Sequence, residues 1–283
     1  MFAYILRRII TAVPVILGVI LVVFILTTIV PGDPARIMMG QRGDPETIEL
    51  IREEMGLNEP LPVQLWNFYK DVFTLELGRS YRNNMTVIRA IMERLPVTAT
   101  LAIGAMIIAV IGGLSLGIFS ATHQYTFFDY VSMIIALLGI SSPVYFVGLL
   151  AVLLFANYLG WIPGTGLGHG EWVYYVLPVF TLGLRPMALI VRLTRSTMLE
   201  VITQDYITTA RAKGLKERAV VYKHALKNAL IPVITIIGLQ TASLLSGVML
   251  TETIYSLPGL GRLSIQAVTN RDFPIIRGVV LFM

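Results

Sequence analysis

The sequence predicts an all-α integral membrane protein of about six transmembrane helices, with a helical insert outside the membrane after the first. Three observations carry this. Only 14% of the 283 residues are charged and 55% are hydrophobic, whereas a soluble domain carries roughly 25% charged residues. Apolar runs near the ~20 residues that cross a bilayer recur along the chain. Eight of the 22 Lys and Arg fall in one segment, 192–227, between two such runs. Cys is absent, which excludes disulfides and thiolate metal sites. His123, His169 and His224 have no metal-type spacing. The net charge of +5 in so oily a chain reads as topology and headgroup contact, with no nucleic acid as partner.

The first apolar run, 9–30, is too long for the ~7–15-residue core of a signal peptide and has no A-x-A site after it. It reads as a first span with Arg7 and Arg8 on the cytoplasmic side. Further spans are expected at 98–121, 130–158, 175–191 and 229–250. A sixth begins near Phe273 and is cut short at Met283, so it either continues beyond the sequence or is truncated. Orientation follows from Lys and Arg. Residues 192–227 hold eight basic and three acidic residues, an excess equal to the net charge of the whole chain. The loop between spans three and four has no Lys or Arg. This segment and the N-terminus are therefore expected in the cytoplasm and the segment 31–96 outside.

The outer segment carries its own helix signals. "PGDPAR" reads as a stop and restart: Pro31 and Gly32 end the span, Asp33 caps, Pro34 begins the next turn. In "GDPETIELIREEMG", Asp44 is an N-cap, Pro45 stands at N1, Ile48, Ile51 and Met55 form the apolar set, and Gly56 closes the helix. "PVQLWNFYKDVF" places Leu65, Phe68, Tyr69 and Val72 on one side of a second helix. "TVIRAIMERLP" is expected as a third, ended by Pro96. The resulting organisation is 1–30 for the N-terminus and first span, 31–97 for the insert, and 98–283 for the core with a cytoplasmic loop at 198–228.

That loop contains "DYITTARAKGLKERAVVYKHALKNALIPV", residues 205–233. A short helix from Asp205 to Lys213 presents small side chains at Thr208, Thr209, Ala210 and Ala212. Gly214 ends it in the left-handed conformation, with Arg211 and Lys213 in the last turn where the helix dipole favours cations. A second helix resumes near Lys216, with Leu215, Ala219, Tyr222, Leu226 and Leu230 on an apolar face. One reading is a basic loop lying on anionic headgroups, each cation contributing ~1 kcal/mol. The other is a docking element, small enough to enter a partner's groove and aimed by the glycine turn.

Inside the spans, Pro143 after Ser141 and Ser142 interrupts the third. It is either a kink relieved by neighbouring hydroxyls or a shaping element of a pathway. Gln240, Ser243, Gly247 and Thr251 recur at three, four and four in the fifth, a polar stripe that faces protein or water. Arg185 and Arg277 are intramembrane cations and so functional candidates. "LPGLGR" at 257–262 is a tight or re-entrant turn that Glu252 can hold by hydrogen bonding.

Residues 205–233 resemble the cytoplasmic signature loop of binding-protein-dependent ABC importer permeases, and more narrowly that of the peptide/nickel subfamily ("DYxxTARAKGL…HALxNAxxP"). "YILRRI…VPGDPAR", "LLGISSPVYFVGLLAVLLF…LGWIPGTG" and "TETIYSLPGLGRLSIQAVTNRDFPII" resemble the same subfamily in the same order. Thr208 and Thr209 depart from the general motif, which has Glu and Ala there. The resemblance implies the type I ABC importer permease fold in a bacterial or archaeal inner membrane. It implies a second homologous permease, as a heterodimer, two ATPase subunits beneath and an extracytoplasmic binding protein above. Asp205, Thr208–Ala212, Lys213, Gly214 and Leu215 would form the coupling helix and its turn. Ser141, Ser142, Pro143, Arg185, Gln240, Ser243, Gly247 and Thr251 are the pathway candidates. No cofactor is expected on this chain, with ATP and Mg on the partner subunits. Di- or oligopeptides are the implied cargo, with nickel chelates or glutathione as alternatives.

Two other classes fit less well. An ion-coupled secondary transporter would bury carboxylates at mid-membrane and show an inverted repeat, and neither is evident. A membrane enzyme would need a catalytic cluster. The sequence also lacks GxxxxGK[ST], so P-loop ATP binding is absent from it.

Overall fold

The computed structural model describes residues 2–29, 33–39, 44–168 and 170–283, with the side chains at 2–4, 38 and 245–247 left undescribed. Pro31, Gly32 and His169 lie outside the described residues. The described chain is helical, with a lone antiparallel bridge between Arg79 and Thr86 and no strand. In order the helices are α1 (Phe2–Ile29), α2 (Pro34–Met39), α3 (Pro45–Glu54), α4 (Leu61–Thr74), α5 (Val87–Thr122), α6 (Phe127–Ser141) and α7 (Val144–Ala151). They continue as α8 (Val173–Ile202), α9 (Asp205–Ala212), α10 (Glu217–Ala219), α11 (Leu226–Gly247), α12 (Met249–Ile254), α13 (Leu260–Asn270) and α14 (Phe273–Phe282). Wide π-helical turns extend α7 through Val152–Tyr158 and join α10 to α11 through Val220–Ala225.

Among the described residues, four helical stretches are long and apolar enough to cross a bilayer, and the pair α6–α7 makes a fifth if counted as one broken span. Residues 1–95 with 263–283 pack as one compact unit and residues 96–262 as another, so contacts group the last helix with the N-terminal segment.

In the first unit, α4 lies along the C-terminal half of α1. Its predicted face, Leu65, Phe68, Tyr69 and Val72, packs on Ile20, Val23 and Phe24, and the Tyr69 hydroxyl donates to the Leu17 carbonyl at 2.9 Å. The insert therefore covers part of its own span. Asp33 caps α2 through the Ala35 amide at 3.2 Å and takes two bonds from Arg52 on α3, at 2.6 and 3.0 Å. Asp44 occupies the N-cap position of α3 without a side-chain cap bond. Gly56, at φ +65°, closes that helix with the paired bonds Leu57 N–H to Arg52 O and Gly56 N–H to Glu53 O, the geometry of a Schellman stop.

The expected break at Pro96 does not occur. Residues 87–122 form a single helix of 36 residues with Pro96 inside it. Proline removes one helical hydrogen bond and crowds the preceding turn, but here its ring lies on the exposed side of the helix. Membrane helices tolerate such a local loss.

In the second unit α8 is central: 56% of its spanning window is buried, against 17% for α11. Gly113 and Gly117 let α5 approach it closely. A Cβ at Gly113 would strike the Ile190 side chain, and one at Gly117 would strike Thr194 and the Val191 carbonyl. Small residues four apart are a common contact face between membrane helices. At Pro143 the structure shows more than the kink expected: α6 and α7 meet at 107°. Ser142 is extended (ψ 130°), as a residue before proline prefers, and its amide still reaches Leu138 O at 2.9 Å.

The outer turn is built as the sequence suggested. Glu252 is fully buried. Its carboxylate accepts from the Thr98 hydroxyl at 2.6 Å and the Arg262 amide at 2.9 Å, while Leu260 N–H donates to Thr98 Oγ1 at 2.9 Å. Gly259 is required there because a Cβ would overlap the Glu252 carboxylate.

Candidate functional site: the protruding helix and its root

Helix α9 is short, and what holds it is its inner face. Ile207 and Ala210 are buried in a cluster with Ile118 and Ala121 of α5, Met198 of α8, and Val220, Val221, Ala225 and Ala229. Spacing of three puts 207 and 210 on one side of the helix. Asp205, Thr208, Thr209, Arg211, Ala212, Lys213, Gly214 and Leu215 remain exposed. Ala210 was expected among the outward small residues; it points into its own chain instead. The outer surface that remains combines small side chains at Thr208, Thr209 and Ala212 with cations at Arg211 and Lys213.

Gly214 ends this element at φ +78°, and a Cβ there would meet nothing within 4 Å. Glycine is needed for the backbone conformation alone. The turn is then stapled: Gly214 N–H bonds Arg211 O at 2.9 Å, and the Arg211 guanidinium takes Glu217 in a bidentate pair at 2.8 and 3.1 Å. Hydrogen bonding to Glu217 raises Arg211 above its ordinary value, so the cation persists at every physiological pH. Asn228 on α11 donates to the Tyr206 hydroxyl at 2.6 Å. Little in the local sequence signals these two ties, because six and 22 residues separate the partners.

The apolar face expected after Lys216 is displaced. Lys216 precedes α10 as read, but Leu215 and Tyr222 are exposed and the buried positions are Val220, Val221, Ala225, Ala229 and Val233. The cause is the π-helical stretch Val220–Ala225. Its i→i+5 bonding adds a residue per turn and rotates the stripe away from the α-helical register.

A second constraint went unread in the sequence. Arg195 on α8 donates to both oxygens of Asp129 on α6, at 2.6 and 2.7 Å. Asp129 also accepts from the Ser120 hydroxyl of α5 and from the Tyr125 amide at 3.0 Å. Three helices are thus fixed next to the root of α9. A carboxylate in the first turn of an apolar run, "TFFDY", is the sequence signal that could have pointed to it.

The pathway candidates divide. Two cavities of about 230 and 210 Å³ share Val144 and Arg185. Ser142 lines the first; Gln240 and Ser243 line the second. Sequence candidates from three different helices thus meet around one exposed arginine. Ser141 and Pro143 are exposed beside the break but line neither cavity. The surroundings of Gly247 lie outside the described residues. Thr251 leaves the stripe: the helix breaks at Val248, and Thr251 is fully buried on α12 with its hydroxyl unpartnered among the described residues. Single cysteines at 240 and 243 should react with water-soluble maleimide in the assembled, membrane-embedded protein, while one at 251 should not. Unreactive thiols at 240 and 243 in every nucleotide state would assign that stripe to packing.

No group of three or more His, Asp or Glu among the described residues is arranged to hold a metal ion.

Comparisons with known proteins show the family of the chain. Residues 113–283 match the family described as "Binding-protein-dependent transport system inner membrane component", and residues 1–102 match the N-terminal membrane component of the same systems. The dipeptide transport system permease protein DppB of Alkalihalophilus pseudofirmus is 42% identical over 307 residues, covering 99% of this chain and 92% of the relative. The glutathione transport system permease protein GsiC of Pectobacterium atrosepticum is 40% identical over 281 residues, covering 99% and 91%. The chain belongs to the family of binding-protein-dependent transport system inner membrane components, as an ABC importer permease of the peptide/nickel subfamily.

Proposed function

We propose that this chain forms half of the membrane path for a di- or oligopeptide, or for a related small solute such as glutathione, and that α9 is the element through which ATPase subunits drive it. The observation that carries this is the form of α9: eight residues rooted by Ile207 and Ala210 in a cluster that includes α5, α8 and the start of α11. A push on its exposed face is transmitted to three spans at once. The small outer side chains permit close seating, and Arg211 and Lys213 suit an acidic rim. ATP and its magnesium then bind the partner subunits, and hydrolysis occurs there.

The second permease is supported by the face around Arg185. Placing an arginine at the centre of a lipid-facing helix costs about 2.5–3.5 kcal/mol on insertion scales. Arg185, Gln240 and Ser243 leave their polar groups at the surface of the chain. A homologous chain covering this face, with water between the two, would satisfy them and create the path. By the placement of basic residues, the N-terminus and α9 lie on the cytoplasmic side and the 31–97 segment faces the binding protein.

The chain has no native cysteine, which makes the test clean. Thr208→Cys and Ala212→Cys, in the complex purified with its ATPase subunits, should each crosslink to an ATPase subunit through a short bis-maleimide when that subunit carries a cysteine in its groove. Ile207→Cys should not. Absence of crosslinks from 208 and 212 in both nucleotide-free and ATP-bound states would refute the assignment.

A further inference from the structure

The first unit contains a cavity of about 500 Å³ that the transport reading leaves unused. Its volume lies within the ~300–1,000 Å³ typical of small-molecule sites, and charges of both signs line it. Arg277 and Arg79 line it together with Asp71, Glu54 and Glu76, and so do Tyr81 and Phe68.

Arg277 interrupts the otherwise apolar helix α14. Its Nε donates to Thr27 Oγ1 at 2.9 Å, and its guanidinium lies over the Phe68 ring, 5.2 Å from the centroid. Those contacts fix the plane of the group. Its Nη atoms donate to no described residue, although they are the edge that takes a phosphate or carboxylate bidentately. Asp71 lines the same cavity, yet it and Arg277 form no ion pair within 4.0 Å. The two charges line one cavity without pairing across it. Asp71 and Tyr81 are half-buried: burial, then the nearby Glu76, raises Asp71 above its ordinary value, and burial pushes Tyr81 up to about 12. Opposite charges kept apart in such a place call for a ligand with both signs, because unpaired charge is costly there.

Depth adds a constraint. Thr27, the hydrogen-bond partner of Arg277, is two residues from the end of α1, or ~3 Å along the axis. By hydropathy that is near the end of the apolar run 9–30, where a hydrocarbon core would give way to headgroups.

We propose that this cavity binds a small zwitterion, with its phosphate or carboxylate on Arg277 and its primary ammonium among Asp71, Glu54 and Glu76. Two sources offer that chemistry: the headgroup of an ethanolamine phospholipid, and a free dipeptide. The site does not depend on how α9 is seated, so its failure and the failure of the coupling assignment are separable.

The test uses the full chain in detergent, by native mass spectrometry with added phosphatidylethanolamine, phosphatidylcholine or phosphatidylglycerol of identical acyl chains, and by calorimetric titration with dialanine. Phosphatidylcholine keeps the phosphate but has no N–H donor; phosphatidylglycerol lacks the cation. The ethanolamine lipid should be retained about tenfold more strongly than either, the scale of one hydrogen bond between charged groups. Arg277→Gln should abolish the preference and Arg277→Lys should keep part of it. Asp71→Asn, a near-isosteric change at a half-buried position, should weaken it without threatening the fold. Saturable dialanine binding that depends on both residues would support the same site and name the free peptide as its source. Equal retention of the three lipids with no saturable dialanine binding would overturn the proposal, as would binding indifferent to both Arg277→Gln and Asp71→Asn.

Discussion

Gly214→Val should leave the protein inserted and assembled but abolish the stimulation of ATP hydrolysis by loaded binding protein. The backbone at 214 is left-handed, φ +78°, which costs an ordinary residue about 1–2 kcal/mol and a β-branched one more. Nothing surrounds the position, so the substitution introduces no clash and acts only through the turn. A shift of 1–2 kcal/mol changes the population of the native turn roughly 5–30-fold, and the Arg211–Glu217 pair spanning the turn would be lost with it. Gly214→Asn provides the control. Asparagine visits the left-handed region far more readily, so that variant should retain most coupling. If valine and asparagine behave alike, or if valine preserves full stimulation, the turn does not aim the helix.

Asp129→Ala should be the most destabilising single change near the root of α9 in the second unit. The carboxylate is almost fully buried and takes both guanidinium bonds of Arg195, together with Ser120 and the Tyr125 amide. Removing one partner of a buried pair strands the other and costs about 3–5 kcal/mol. The melting temperature in detergent, followed by tryptophan fluorescence, should fall clearly below that of the parent protein. The double change Asp129→Leu with Arg195→Met should recover much of the loss, since apolar replacement of a whole buried pair is often neutral or better. If Asp129→Ala melts like the parent, α5, α6 and α8 are not held together by this pair. The same variant should also reduce ATPase coupling, because two of the helices it ties, α5 and α8, form the root of α9.

Two prolines show how much local sequence could say. Pro96 and Pro143 are both preceded and followed by apolar helix, and both read as interruptions. Pro143 turns the chain through 107°, while Pro96 is absorbed in a continuous helix. The difference lies in the neighbours: Ser142 is extended ahead of Pro143, whereas the residues ahead of Pro96 stay helical. The face of α4 was legible because four residues on one side of a short amphipathic helix need only a surface to meet. The face after Lys216 was not, because the π-helical stretch that shifts its register has no sequence period of its own. Ala210 illustrates the same limit: its size suits either a partner's groove or the chain's own cluster, and packing chose the cluster.

The sequence by itself determined that this is a multi-span helical membrane protein, where its basic loop lies, and which residues cap α2 and close α3 and α9. These follow from hydropathy, charge and backbone preference, which act over a few residues. Only the tertiary structure decided that Glu252 meets Thr98, that Asp129 meets Arg195, that Arg185 lines one cavity with Gln240 and Ser243, and that Arg277 lines another with Asp71. Each joins residues far apart in the chain, and a buried polar group finds its partner through the packing of whole helices rather than through its neighbours in sequence.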